Sequence, residues 1–127
     1  MAPEPRTGLD NGGAGISFAN DVQPIFTNNC AFSGCHGSQS TKPIGKPMVL
    51  VSGQAYANIV DVPSFQLPSM NRIEPDDPDN SYLIHKIEGT QAAVGGTGDQ
   101  MPRGSCCLSP QEIETIRGWV EAGAPNN

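Results

Sequence analysis

The chain has 127 residues, enough for one domain, and carries 13 acidic against 7 basic residues, a formal net charge of −6. That balance, with no basic run, argues against nucleic-acid binding, and no apolar stretch is long enough to span a membrane. Fifteen glycines and 12 prolines predict much loop.

Residues 1–15, rich in Gly, Pro and Asn, are expected to form a flexible arm or linker. Phe18, Val22, Ile25 and Phe26 fall at helical spacing and make one apolar stripe. Pro24 is tolerated only in a first turn, so the spacing predicts a helix capped at Asn20 or Asp21 and running to about Asn29. That helix delivers Cys30. Residues 37–47 are a polar loop, and 48–51 a short apolar run of undetermined type. Ser52 is the expected cap of a short helix through Tyr56 and Ile59.

From Asp61 to Pro78 four prolines predict extended loop. Asn80 or Ser81 caps a predicted helix over Tyr82, Leu83, Ile84 and Ile87 that Gly89 ends. Residues 90–104 are Gly-rich and irregular. The last helix is the best marked. Ser109 is its N-cap, Pro110 its first residue, Glu112 completes a capping box, and Leu108 with Ile113 is placed as a hydrophobic staple. Ile113, Ile116, Trp119 and Val120 form its buried stripe, and Gly123 its stop. The expected class is all-α, with one domain over residues 16–125 and a tail at 126–127.

The chemistry concentrates in Cys30-Ala31-Phe32-Ser33-Gly34-Cys35-His36. Two thiols followed at once by an imidazole resemble the C-x-x-C-H haem-attachment signal, here with four residues between the cysteines. Covalent attachment needs thiols that reach two vinyl groups, and an imidazole beside the second thiol that can rise to the iron. Cys35-His36 meets the second need, and Cys30 meets the first if Ala31 to Gly34 bulge outward, which Gly34 permits. Aromatic residues make up only 6 % of the chain, and a large apolar cofactor would fill the interior that they leave.

Three other arrangements compete at this level. Cys30 and Cys35 can close a local disulfide with His36 on the surface. Cys30, Cys35 and His36 can bind zinc with help from Cys106, Cys107 or His85, although adjacent Cys106-Cys107 makes a poor second ligand pair. Phe32 to His36 can also act as a single-cysteine attachment motif, with Cys30 pairing to Cys106 or Cys107. A low-spin haem needs a second axial ligand, and Met48, Met70, Met101 and His85 are the candidates. Met101 stands out because Pro102 follows it in a Gly-rich loop. Core packing is the ordinary role of a methionine and suits Met48 and Met70. His85 reads as a surface residue.

The run Phe18 to Phe26, then Asn29-Cys30 and Cys35-His36-Gly37, resembles the start of bacterial class I c-type cytochrome domains of the planctomycete and proteobacterial type. Glu74-Pro75-Asp76-Asp77-Pro78 before Ser81-Tyr82-Leu83, Met101-Pro102, and the ending from Leu108-Ser109 through Trp119 to Gly123-Ala124 follow in the family's order. The resemblance spans about residues 16–125. It implies the small class I cytochrome c fold and one covalent haem c, with Cys30 and Cys35 as thioether attachments. It also implies His36 as proximal and Met101 as distal iron ligand, with Pro102 beside it.

The expected activity is one-electron transfer, without enzymatic turnover, to redox partner proteins that can present a basic docking surface. Phe18, Ile25, Phe26, Leu83, Ile116 and Trp119 are the expected walls of the haem site. Haem attachment also implies maturation in the periplasm or outside the cell. Met1 is then not the natural start, or the chain is a domain excised from a longer protein. Cys106-Cys107 lies outside the family pattern, and in an oxidising compartment it is expected to close a vicinal disulfide or to link to another chain. The alternatives are a haem-based sensor or enzyme domain with an open distal site, and a zinc- or disulfide-stapled interaction module.

Overall fold

A computed structural model of the chain describes residues 16–30, 36–37, 48–98, 100–101 and 108–127. Among these the structure is helical, with two isolated β-bridges and no named strand. The described residues hold four α-helices: α1 Gln23–Asn29, α2 Ala55–Ile59, α3 Tyr82–Glu88 and α4 Pro110–Glu121. None of them is long and apolar enough to cross a membrane. Cys35, Pro102, Cys106 and Cys107 lie outside the described residues, and so does the 1–15 arm.

The first helix starts earlier than expected. Its cap is Ser17, not Asn20 or Asp21. The Ser17 hydroxyl accepts from Asn20 N at 3.1 Å, while Ser17 N donates to Asp21 Oδ2 at 2.7 Å. A single wide π turn, Phe18–Val22, precedes α1. Pro24 has no N–H to give to the turn before it, and the change of winding at this point accommodates that gap. The chain therefore carries Pro24 one turn into a longer helical segment.

Ser52 does not cap α2. The N-cap is Gln54, without a side-chain bond, and main-chain bonds from Gln54 N and Ala55 N to Val51 O (both 3.0 Å) start the helix instead. Residues 61–78 are more ordered than extended loop. Bridges Val60–Ile73 and Pro63–Asn71 close this segment at its base, and Ile73 is fully buried. Ser81 is the N-cap of α3, but its hydroxyl serves the preceding turn, accepting from Glu74 N at 2.8 Å. Gly89 ends α3 at φ 80°, in the left-handed region that glycine enters without a Cβ penalty. The capping box of α4 is present in full, with Glu112 N to Ser109 Oγ at 3.1 Å and Ser109 N to Glu112 Oε1 at 2.9 Å.

The core cluster draws on the first helical segment, α3 and α4, together with Leu50, Ala55, Ile59 and Ile73. Phe18 lies between Trp119 and Tyr56, with ring centroids 5.0 and 5.4 Å away, and Phe26 is 6.2 Å from Phe18. Trp119 is fully buried and its indole N–H donates to Pro125 O at 2.8 Å. Each such ring contributes on the order of 1.5–3 kcal/mol by leaving water. The two ends of the domain are tied together, because Asn127, expected to be tail, accepts from Phe18 N at 2.8 Å and from the Ser17 hydroxyl at 2.7 Å. Arg117 clasps α4 to α3 through Glu88, and to the turn before α3 through Asp79, both at 2.7 Å.

Candidate functional site

Opposite in character to this closed core is an open cleft of about 680 Å³, its mouth included, with mostly apolar walls. Some 100 Å³ of that space admits a water-sized group. Phe26, Cys30 and His36 come from the end of α1 and the segment after it. Met48 and Leu50 come from the next segment, and Tyr82, Leu83, Lys86 and Ile87 from α3. Ser64, Phe65 and Gln66 form a lip, and Arg72 and Met101 complete the lining. Cys30 and His36, six residues apart, thus share one cavity with the distant Met101.

Main-chain bonds place His36. Cys30 N closes the last turn of α1 on Phe26 O at 2.7 Å, His36 N donates to Cys30 O at 3.1 Å, and Leu50 N donates to His36 O at 2.8 Å. The buried Gln23 side chain anchors the same strip, its Nε2 donating to Leu50 O at 2.8 Å. The His36 ring is oriented by Met48 O, 2.8 Å from Nδ1. A carbonyl can only accept, so Nδ1 carries a proton, and in the neutral ring the lone pair is then on Nε2. Ligating histidines are held in this way, with one ring nitrogen donating to a carbonyl and the other turned to the metal.

The four candidates for a second ligand separate. Met70 and His85 do not line the cleft. Both nitrogens of His85 are engaged elsewhere, at 2.7 Å from Thr90 Oγ1 and 2.7 Å from Asp79 O. Met48 and Met101 both line it, and Met48 also packs against the core cluster. Met101 N donates to Lys86 O at 2.9 Å, which fixes its main chain on α3.

Two buried cations share this lining. Arg72 is 4 % exposed and Lys86 8 %. Arg72 Nη1 donates to Asn58 O at 2.8 Å, and burial pulls the guanidinium pKa down. Lys86 Nζ donates to Thr97 O at 3.3 Å. Burial also pushes up the pKa of Tyr82, whose hydroxyl lies against Thr97 and Gln66. Buried cations are kept only where acceptors or anions face them. Sequence inspection missed both, yet Lys86 falls on the stripe Tyr82, Leu83, Lys86, Ile87, a helical spacing that places it inward.

The residues expected as haem walls divide between this cleft and the core. Phe26 and Leu83 line the cleft; Phe18, Ile25, Ile116 and Trp119 do not. The stripe of α4 buries itself against the first helical segment, so Trp119 closes the core and not the cleft. A second groove, beside Ile16, Asn20, Asp21 and Ile25, holds carboxylates already used by the helix caps. Among the described residues no three His, Cys, Asp or Glu side chains converge to hold a metal ion.

No family model matches the chain, and no curated protein or solved structure matches it.

Proposed function

We propose that this chain is a monohaem c-type cytochrome domain that carries single electrons. The observation that carries the proposal is the meeting of Cys30, His36 and Met101 in one apolar cleft, with the proton of His36 held on Nδ1 by Met48 O. The donor set fits haem: a thiol for a thioether bond, an imidazole nitrogen and a thioether sulfur as axial ligands, and apolar walls for a macrocycle. Arg72 and Lys86 fit as well, since two buried cations match the acidic side groups of that macrocycle.

In this assignment Cys30 and Cys35 would hold the cofactor by thioether bonds, and His36 and Met101 would supply its iron ligands. Haem, when bound, supplies a one-electron ferric–ferrous couple. The thioether of Met101 and the apolar walls favour the less charged ferrous state and raise the potential relative to bis-histidine ligation. Leu50, Leu83 and Ile87 give the cleft part of its apolar wall. The net charge of −6 suits a redox partner with a basic face, and thioether attachment suits maturation outside the cytoplasm.

The ferric spectrum tests the assignment. Methionine ligation gives a weak sulfur-to-iron band near about 695 nm. A high-spin ferric spectrum with fast carbon monoxide binding would instead mean an open distal site, the sensor or enzyme arrangement. A colourless chain would leave a zinc- or disulfide-stapled module.

A further inference from the structure

Met101 is carried by a segment that leaves α3 at Gly89 and returns to it, and Tyr82 of the cleft meets that segment at two main-chain groups. The Tyr82 hydroxyl accepts from Thr97 N at 3.1 Å, and both Thr97 O and Gln66 Oε1 lie 3.0 Å from it. Gly96 passes so close that a Cβ there would collide with the Tyr82 hydroxyl. Three further bonds hold the same segment to α3: Lys86 Nζ to Thr97 O at 3.3 Å, Gln100 Nε2 to Ile87 O at 3.0 Å, and Met101 N to Lys86 O at 2.9 Å.

We propose that Tyr82 is a positioning residue for Met101, its hydroxyl setting how firmly the loop presents the thioether to the cleft. The proposal rests on the assignment of Met101 as the distal ligand. Its physical content is local. Thr97 stands four residues before Met101, and its N–H and C=O both meet one hydroxyl that is anchored on α3 by a ring 4 % exposed. The hydroxyl has one proton and two oxygen acceptors, so it can donate to Thr97 O or to Gln66 Oε1 but not to both. Gln66 belongs to the lip of the cleft, so the hydroxyl couples the lip to the loop that carries Met101.

Added imidazole tests this, because it competes with a methionine sulfur for the sixth position on iron. Tyr82→Phe keeps the buried ring and deletes only the hydroxyl. The imidazole concentration that removes half of the band near about 695 nm should fall about five- to tenfold, the weight of one lost hydrogen bond. Tyr56→Phe is the control, since its hydroxyl donates to Ala124 O at 2.6 Å, away from the cleft, and it should leave that concentration unchanged. Gln66→Ala removes the competing acceptor and should leave the value at or above wild type. No fall in Tyr82→Phe, or an equal fall in Tyr56→Phe or Gln66→Ala, overturns the positioning role. A wild-type protein with no such band overturns the ligand assignment itself.

Discussion

The Nδ1 of His36 and the main-chain oxygen of Met48 lie 2.8 Å apart, and this contact assigns different work to the two methionines of the cleft. Met48 acts on the histidine through its backbone, which any side chain provides. Met101 has a sulfur to offer and a main chain already held on Lys86 O. Met48→Leu should therefore keep the band near about 695 nm, while Met101→Leu should abolish it and yield a high-spin ferric spectrum. Absorption spectra of the two ferric variants check this; loss of the band in Met48→Leu alone would exchange the roles.

Arg72 is buried and donates to Asn58 O. Arg72→Met keeps a long side chain but strips that carbonyl of a charged donor, at a cost of about 1.5–3 kcal/mol by urea unfolding. It also removes a positive charge from the wall of the cleft. A nearby cation disfavours ferric iron, so the reduction potential should fall, as potentiometric titration would read.

Arg117 holds the Asp79 carboxyl below the usual carboxylate range, first by its hydrogen bond and then by its charge. A depressed acid contributes stability that is present above the unfolded-chain value, near about 4, and lost as pH falls through the lower folded value. The melting-temperature difference between wild type and Asp79→Asn should therefore be constant above about pH 5 and close below about pH 4. Asp79 is exposed, so the effect will be small and salt-sensitive. A difference that widens on acidification would refute the sign.

Ser109→Ala breaks the capping box of α4 and should cost about 1 kcal/mol in urea unfolding. Ligand spectra should stay unchanged, because α4 packs on the core and not on the cleft. A loss of the 695 nm band in Ser109→Ala would contradict that separation.

What could be read from the sequence was what short-range chemistry decides. The Ser109-Pro110-Glu112 box and the Gly89 stop are local devices, and both stand as expected. The Ser17 cap was hidden because it depends on a wide turn ahead of Pro24, and helical spacing carries no mark of that turn. Cys30, His36 and Met101 were visible as chemistry-bearing residue types, and the structure brings these three to one cavity. Trp119 was legible as buried but not against what, since a stripe names a face and not its partner. Arg72 was out of reach because its burial arises from the bridged segment around Ile73, a tertiary event.

The most direct test of the central claim is the intact mass of the chain, exported from cells that carry haem-attachment machinery. The account predicts the polypeptide plus one haem, surviving denaturation and acidified acetone, with peptide mapping that places thioethers on Cys30 and Cys35. A mass equal to the polypeptide alone, from cells that attach haem to other proteins, would contradict it.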